Sequence, residues 1–382
     1  MSIHIPLYTI RHGKIGGTEF AIYNLIRGLA GLGKNVDLYN GRDSDLSKVF
    51  LEWASKDNNI KIHQTGGIPG PKSVRFLEEL WYQQRRSDTE WTIFPNYFCP
   101  PSFKSGQKNC VILHDIQYRC FPQYHSKKRR MWLDFYLPKM FDTADSVILI
   151  SNSELELVRE NFGEKAASRC DVVYNAIDFK RFEFTGESTN NLISELRNKP
   201  YILSVCHQFP HKNLATLLSA FSDLAQTDRD ISLYMVGSVS KDNLSFIESN
   251  LPEFARKRVN LTGFVTDSEL GQLYANAKLF VLPSLYEGFG MPAVEALGLG
   301  VPTIVSNAFS LPEVTLGIAK LIDEPLKPKA WSAAIREAIL SNQSPTPEQV
   351  AKIRATYAPE ATASSLISVL ESRDLASRPP LR

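Results

Sequence analysis

The 382-residue sequence lacks the features that mark several large classes of protein. Its 43 Lys and Arg nearly balance its 41 Asp and Glu, and a net charge of +2 argues against a nucleic-acid partner. No apolar run approaches the length of a membrane span, and the N-terminus has no signal-peptide pattern. Internal repeats and low-complexity segments are also missing. These absences predict a cytoplasmic globular chain.

Cysteine is scarce, with five residues in the chain. The number is odd, and the spacing contains no short pair of the kind that binds zinc. We therefore expect reduced, mostly buried thiols, with neither disulfides nor a metal site. The 43% apolar and 22% charged residues are typical of a globular protein, and the length allows two or three domains.

The stretch from 280 to 307 carries the strongest functional pattern. Its two apolar runs, Phe280–Leu282 and Thr303–Val305, are about twenty residues apart, the spacing of a strand–helix–strand unit. A loop with two glycines follows the first run. Pro292 then suits the first turn of a helix that begins near Met291. Helix-start amides beside a glycine loop favour the binding of a negative or electron-rich oxygen.

Two carboxylates flank that helix start. Glu287 lies in the loop, and Glu295 lies near the end of the first helical turn. Open α/β sheets bind ligands at the carboxyl ends of their strands, so both side chains are predicted to border one ligand site. The alternative is that a glutamate here only stabilises the helix dipole. The joint occurrence of the pair, the glycines and the proline favours binding.

This Glu-x7-Glu stretch resembles the family-4 glycosyltransferases of the GT-B type, and the resemblance extends over nearly the whole chain. It implies an α/β fold with two Rossmann-like domains facing a central cleft and a C-terminal helix that crosses back to the first domain. In that family the first Glu faces the donor sugar, the second binds the ribose, and the loop amides touch sugar and diphosphate. Those roles carry over to Glu287, Glu295 and the loop residues Gly288, Phe289, Gly290 and Met291.

The N-terminal half begins with a Rossmann-type pattern: an apolar strand Ile3–Thr9, a glycine loop, a helix from Thr18 and a second strand Val36–Tyr39. A Gly-Gly pair alone indicates only a tight turn. The resemblance implies that this loop approaches the donor phosphates and the acceptor. Gly16 and Gly17 are therefore candidate site residues.

A strand predicted at Val111–Leu113 ends in His114 and Asp115. A histidine there is often simply bonded to a loop carbonyl. The resemblance implies instead that His114 contacts the donor sugar near the reacting centre, with Asp115 in support. Further strands of this half are predicted at Ile60–His63, Thr92–Phe94, Ser146–Ile150 and Val172–Tyr174.

A basic run, Lys127–Arg130, leads into an aromatic-rich helix. Such a segment either lies on an anionic membrane surface or forms the solvated end of a packed helix. The first alternative predicts peripheral contact with the inner face of the membrane. It suits a lipid-linked acceptor.

The C-terminal half repeats the pattern after a polar linker at Gly186–Lys199, beginning with a strand at Tyr201–Val205. Lys212 follows that strand and matches the family's lysine that neutralises the donor diphosphate. Many family members place an arginine shortly before it, and residues 206–209 contain none. His207 or His211 is the candidate replacement.

Two further loops of this half are predicted to hold the nucleotide base, largely through backbone groups. The first follows a strand at Ser232–Val236 and contains Gly237, and the second contains Phe264 and Val265. Backbone recognition does not reveal the base. A final amphipathic helix, about Pro347–Ser372, is expected to brace the first domain. The tail from Ser377 is expected to be loose.

The predicted organisation is an acceptor-binding domain over 1–180, a donor-binding domain over 181–345 and a returning helix with its tail over 346–382. The resemblance implies a metal-independent, retaining hexosyltransferase in bacterial lipopolysaccharide or exopolysaccharide assembly, without a cofactor. Its donor would be a nucleotide diphosphate sugar, with mannose favoured and GDP preferred over UDP or dTDP. Its acceptor would be a saccharide or a lipid-linked sugar. Catalysis would rest on His114, Glu287 and Lys212.

Four alternatives stay within the same fold or its neighbours. A nucleotide-sugar epimerase would turn over donor without an acceptor, and a phosphorylase would need a pyridoxal-binding lysine that we do not identify. A non-catalytic nucleotide-binding member would not need both glutamates, His114 and Lys212. A dehydrogenase is disfavoured because neither half has the full glycine fingerprint with its acidic partner.

Overall fold

The computed structural model describes residues 2–10, 17–41, 46–65, 76–85, 90–100, 102, 106–183, 199–207 and 209–376. The loop up to Gly16, the linker except Lys199, and the tail from Ser377 lie outside these residues. The chain forms two compact units, which comprise residues 1–177 with 357–382 (unit 1) and residues 178–356 (unit 2). The sequence predicts these two boundaries after residues 180 and 345.

Unit 1 contains a seven-stranded, all-parallel sheet in the order β3-β2-β1-β4-β5-β6-β7. Its strands are β1 (Ser2–Pro6), β2 (Asn35–Gly41), β3 (Ile60–Thr65), β4 (Trp91–Phe94), β5 (Lys108–Leu113), β6 (Ser146–Leu149) and β7 (Cys170–Val172). The first seven helices are α1 (Gly17–Gly31), α2 (Lys48–Ala54), α3 (Phe76–Arg85), α4 (Gln117–Cys120), α5 (Lys127–Thr143), α6 (Asn152–Phe162) and α7 (Glu164–Ala167).

Unit 2 contains a six-stranded, all-parallel sheet in the order β10-β9-β8-β11-β12-β13. Its strands are β8 (Tyr201–Val205), β9 (Ser232–Val236), β10 (Val259–Gly263), β11 (Leu279–Leu282), β12 (Thr303–Ser306) and β13 (Lys320–Ile322). Its helices are α8 (Leu214–Ala225), α9 (Lys241–Asn250), α10 (Glu253–Arg256), α11 (Asp267–Asn276), α12 (Met291–Gly298), α13 (Leu311–Val314), α14 (Pro328–Ser341) and α15 (Pro347–Thr356).

Both units have the Rossmann-like arrangement that the sequence predicts, so the two-domain α/β fold is confirmed. In each sheet the chain starts in the middle, builds outward to one edge, and then returns to build the other. Unit 1 reverses between β1 and β4, and unit 2 between β8 and β11. Loops that leave neighbouring strands at this reversal diverge to opposite faces, which opens a crevice for ligands. The candidate residues Lys212 and Glu287 of unit 2 follow β8 and β11.

The predicted final helix over 347–372 is wrong in one respect: the structure has two helices. Helix α15 ends at Thr356 in unit 2, and α16 (Pro359–Ala376) belongs to unit 1. Proline disfavours a helical conformation in the residue before it, so Pro359 separates the two and begins the second. Helix α16 packs on α1 so closely that a Cβ on Gly28 would lie 2.0 Å from the Pro359 carbonyl oxygen. In the described part of the chain, no helix is long and apolar enough to cross a membrane.

Candidate functional site

An ion pair at the carboxyl ends of β8 and β11 is the centre of the candidate site in unit 2. The Lys212 Nζ lies 2.7 Å from Glu287 Oε1, and the two side chains are only 14% and 11% exposed. Lys212 ends the short 3-10 turn Pro210–Lys212, and Glu287 lies in the loop after β11. The structure thus brings together two residues that are 75 positions apart in the sequence. Because the pair is largely shielded from water, its attraction is screened less than that of a surface pair.

Serine side chains hold the Glu287 loop in place. The Ser284 hydroxyl donates to Glu287 Oε1 at 2.7 Å, so one carboxylate oxygen accepts from both the serine and Lys212. Ser310 Oγ lies 2.8 Å from the Glu287 carbonyl oxygen and 2.9 Å from that of Phe289. The sequence analysis missed both serines. Their signal is weak, since serines are common in such loops.

Asn213 fixes the other side of the pair. It adopts the left-handed conformation (φ 55°), which asparagine tolerates better than most residues. Its amide donates to the carbonyl oxygens of Pro283 at 3.2 Å and Pro325 at 2.7 Å. The loop after β8 is therefore tied directly to the loop that carries Glu287. An Asn directly after a candidate lysine at a strand-to-helix turn could have revealed it.

Helix α12 begins at Met291, near which its start was predicted, and ends at Gly298. Gly290 precedes it with φ 93°, and a Cβ there would lie 2.7 Å from Leu311 Cδ2. Only glycine combines this backbone conformation with so close a neighbour. The glycine therefore sets the start of α12. Pro292 has no amide hydrogen and the Ala293 amide donates to the Gly290 carbonyl oxygen at 3.0 Å, which leaves the Met291 amide of this turn for a ligand.

Glu295 has different partners from Glu287. Arg181 Nη2 donates to Glu295 Oε1 at 2.5 Å, and the Tyr274 hydroxyl donates to Oε2 at 3.0 Å. Burial, and next the Glu295 carboxylate, raise the pKa of Tyr274 well above its ordinary value, which keeps the phenol protonated as a donor. The two glutamates thus belong to two separate hydrogen-bonded clusters. Sequence reasoning missed Arg181 and Tyr274.

Aromatic rings surround His207, the candidate replacement for the absent arginine. Its ring centroid lies 5.8 Å from those of Phe209 and Phe264, both exposed. Burial, and then the positive charge of Lys212, lower the pKa of His207, so it is a neutral donor at pH 7 and not a second cation. His211 is buried and stacks on Phe209, and its carbonyl oxygen accepts from the Leu285 amide at 2.8 Å.

The two predicted base-binding loops lie side by side after β9 and β10. The Gly237 amide donates to the Gly263 carbonyl oxygen at 3.0 Å. Gly237 has φ 128°, and a Cβ on it would lie 2.2 Å from the Cys206 carbonyl oxygen. A side chain at this position would therefore displace the loop after β8. Phe264 is exposed and Val265 is half-buried.

In unit 1, His114 is buried and its Nε2 lies 3.0 Å from the Pro95 carbonyl oxygen. A carbonyl can only accept, so Nε2 carries the hydrogen and Nδ1 is the acceptor of the neutral ring. Burial lowers the pKa of His114, which keeps the ring neutral at pH 7. Asp115 accepts from the Tyr97 hydroxyl at 2.5 Å and from the Gln117 amide at 3.1 Å. Gly17 is the first residue of α1.

Within the described ranges, no group of three or more His, Cys, Asp or Glu side chains converges as a metal site would. The four basic residues Lys127–Arg130 form the first turn of α5, after the N-cap Ser126. Cations at a helix N-terminus oppose the helix dipole. Their position is therefore not explained by helix stability.

Comparisons with known proteins find relatives of both halves of the chain. The family model described as Glycosyltransferase Family 4 matches residues 15–181, and that described as Glycosyl transferases group 1 matches residues 190–375. The O-antigen chain mannosyltransferase B of Escherichia coli is 29% identical over 253 residues. That match covers 64% of each chain, so the chain spans slightly less than two thirds of this relative.

Solved structures share the fold over almost the whole chain. Sucrose-phosphate synthase from Thermosynechococcus elongatus superposes with a TM-score of 0.72 at 19% identity, covering 99% of this chain and 100% of that one. The HepE protein of Anabaena, solved in complex with UDP-glucose, gives a TM-score of 0.70 at 17% identity, covering 97% and 100%. The two family models together span both units, and their order along the chain matches the two sheets. The chain therefore belongs to the family-4 glycosyltransferases of the GT-B type.

Proposed function

We propose that the protein is a retaining glycosyltransferase that moves a hexose from a nucleotide diphosphate sugar to a saccharide or lipid-linked acceptor in bacterial surface polysaccharide assembly. The observation that carries this proposal is the Lys212–Glu287 pair beside the start of α12. The mannosyltransferase named above supports mannose as the sugar. Unit 2 would bind the donor and unit 1 the acceptor.

The pair suits the departure of a diphosphate. A lysine ammonium has three donors, and one of them is used by Glu287, which leaves capacity for phosphate oxygens. As the bond between the sugar C1 and the diphosphate oxygen breaks, negative charge grows on the leaving group. Lys212 and the Met291 amide at the start of α12 would balance that charge without moving. The new bond forms between C1 and the acceptor oxygen, whose proton is released. We assign no residue as its base.

Glu287 would accept hydrogen bonds from sugar hydroxyls. Its Oε1 already accepts from Ser284 and Lys212, so Oε2 is the oxygen with capacity for a new donor. His114 is proposed to orient a sugar hydroxyl through Nδ1, because Nε2 is committed to Pro95. A neutral histidine in that role positions the sugar and adds no net charge.

A nucleotide panel tests the donor. We propose GDP over UDP or dTDP. A ligand that binds only the folded state raises the melting temperature, and the rise grows with the logarithm of its concentration divided by its Kd. The panel compares the three diphosphates with GMP for the wild type and for Lys212→Met. The expected result is a rise with GDP that is much smaller with GMP and in the variant. No rise with any diphosphate would overturn the proposal.

Turnover separates this function from that of an epimerase. GDP-mannose is offered with and without an oligosaccharide acceptor, and both released GDP and the sugar product are measured. A transferase consumes donor in step with the acceptor and keeps the anomeric configuration of the donor. Conversion of the donor sugar without any acceptor would identify an epimerase instead.

We further propose that α5 makes peripheral contact with an anionic membrane surface. Three apolar side chains on this helix point to solvent: Met131 (72% exposed), Phe135 (65%) and Trp132 (42%). Its two acids already have partners elsewhere, Asp134 with Arg119 at 3.0 Å and Asp142 with Lys165 at 2.8 Å. The exposed face therefore combines basic charge with aromatic surface, the composition of interfacial helices.

Vesicle flotation tests this contact. The protein is expected to bind vesicles of phosphatidylcholine with phosphatidylglycerol and not phosphatidylcholine alone, and each lysine removed at 127 or 128 should weaken binding about fivefold. The double substitution Trp132→Ser with Phe135→Ser should abolish it. Phe254→Ser, at another exposed phenylalanine, is the matched control and should bind normally. Equal binding by all variants would exclude α5 as the contact.

A further inference from the structure

The cluster around Glu295 lies at the point where unit 2 begins. The chain passes from unit 1 to unit 2 between Ile177 and Asp178, and the 3-10 turn Phe179–Phe182 follows at once. Arg181 belongs to this turn. It reaches α12, whose residue Glu295 is the predicted ribose-binding carboxylate.

Two glycines bring this turn close to the helices of unit 2. A Cβ on Gly298 would lie 2.1 Å from the Phe179 ring, and one on Gly271 would lie 2.3 Å from the Phe182 carbonyl oxygen. The turn is thus packed against α12 on one side and α11 on the other. Arg354 Nε also donates to the Gly298 carbonyl oxygen at 2.6 Å, which closes the end of α12 nearest Phe179. The position of Arg181 is set by this packing.

The Glu295 carboxylate is almost completely buried, with 4% of its side chain exposed, and Arg181 is 10% exposed. An ionised carboxylate in such surroundings needs a positive partner, because removing that partner leaves an uncompensated charge. Tyr274 donates to the second oxygen. Each oxygen therefore accepts one bond from the protein and keeps one acceptor position. Two acceptor positions, one on each oxygen, match the two neighbouring hydroxyls of a ribose.

We propose that Arg181 and Tyr274 are positioning residues that orient the Glu295 carboxylate to accept the 2′- and 3′-hydroxyls of the donor ribose. This inference rests on the proposed function and on the ribose-binding role that the family resemblance implies for Glu295. Arg181 fixes one oxygen from the turn that begins unit 2, and Tyr274 fixes the other from α11. Neither residue touches the sugar that is transferred. Their effect is confined to the nucleotide end of the donor.

The test compares binding of GDP with binding of 2′-deoxy-GDP by calorimetry; UDP and its 2′-deoxy form replace them if UDP is the nucleotide that binds. Loss of one hydrogen bond to a charged group should weaken wild-type binding of the deoxy form about 10- to 100-fold. The ratio of the Kd for 2′-deoxy-GDP to the Kd for GDP should fall toward one in Glu295→Gln and in Arg181→Met, mainly because these variants bind GDP more weakly. Arg181→Lys should restore part of the ratio. Tyr274→Phe should lower it by a smaller factor.

Arg336→Met is the matched control, because Arg336 lies in the same unit and binds Thr227 on an exposed surface. Its ratio should equal that of the wild type. If Arg181→Met lowers both affinities equally, or does not fold while Tyr274→Phe keeps the full ratio, the residues only brace the fold and the inference fails. If Glu295→Gln also keeps the ratio, the ribose assignment fails. If the wild type binds no nucleotide, the proposed function itself fails.

Discussion

The two sheets have the same topology at their reversal points but different chemistry at their carboxyl ends. In unit 2, Lys212 and Glu287 are paired at 2.7 Å and held by Ser284 and Asn213. In unit 1, the neutral ring of His114 is bonded to a backbone carbonyl. A fixed charge suits a diphosphate, and a neutral acceptor suits a hydroxyl. The difference shows that one backbone plan is specialised by a few side chains in the loops after its strands.

Removing the positive charge of Lys212 in unit 2 should have the largest effect on activity. Lys212→Met is expected to lower kcat/KM about 10²- to 10³-fold, the usual loss when one transition-state donor is removed. The measurement is nucleotide release from the donor in the presence of acceptor. Lys320→Met, an exposed lysine bonded to Glu337, serves as control and should retain full activity.

A double-mutant cycle then tests whether the effects of Lys212 and Glu287 on kcat/KM are coupled through their ion pair. Lys212→Met and Glu287→Gln should together cost much less than the sum of their separate effects, because either change breaks the same contact. Additive losses would mean that the two residues act independently. Activity of Lys212→Met equal to that of the wild type would remove the contrast between the two units.

The second prediction compares a crowded glycine of unit 2 with an open one of unit 1. Gly237→Ala places a Cβ 2.2 Å from a backbone oxygen, whereas Gly163 (φ 84°) has no atom within 4 Å of that position. Gly163→Ala should cost about 1 to 3 kcal/mol, because its backbone (φ 84°, ψ 170°) lies in a region almost confined to glycine, and Gly237→Ala should cost clearly more because of the added close contact. Thermal unfolding measures both. Equal losses would mean that the loops after β8 and β9 adjust without strain.

The third prediction concerns which of the two ring nitrogens of His114 is needed for activity. His114→Gln keeps a donor near the position of Nε2, and His114→Asn keeps an acceptor near that of Nδ1. If Nδ1 orients the sugar, kcat/KM should fall about tenfold in the Gln variant, and less in the Asn variant, as expected for one neutral hydrogen bond. The reverse order would identify the bond to Pro95 as the important one.

The smallest effect concerns stability at low pH. The folded-state pKa of His114 is below its ordinary value of 6.5 because of burial, so the unfolded chain binds the proton more readily. The contribution of the neutral His114 ring to the free energy of unfolding is complete above pH 6.5 and is lost as the pH falls through the folded-state pKa. The melting temperature should therefore fall less between about pH 7.5 and pH 5.5 in His114→Asn than in the wild type. His207→Gln should show a weaker form of this change, because His207 is less buried.

Much of the fold could be predicted from the sequence, because strands buried on both faces appear as short apolar runs. The strands Tyr201–Val205 and Ser232–Val236 agree with the prediction to the residue, and α12 begins at Met291, near which its start was predicted. The break before Pro359 was missed because the apolar pattern continues across it. Helical periodicity does not reveal where a helix stops when the next one begins three residues later.

The sequence by itself determined the two α/β units, the helix start near Met291 and Glu287 as a candidate, because local patterns carry this information. The family resemblance of its motifs added Lys212. Only the tertiary structure decided the partners. In the structure Lys212 forms an ion pair with Glu287, and Glu295 accepts hydrogen bonds from Arg181 and Tyr274. Contacts between residues far apart in the chain depend on how strands are ordered in the sheet, and a hydroxyl or a guanidinium shows its partner only after that order is known.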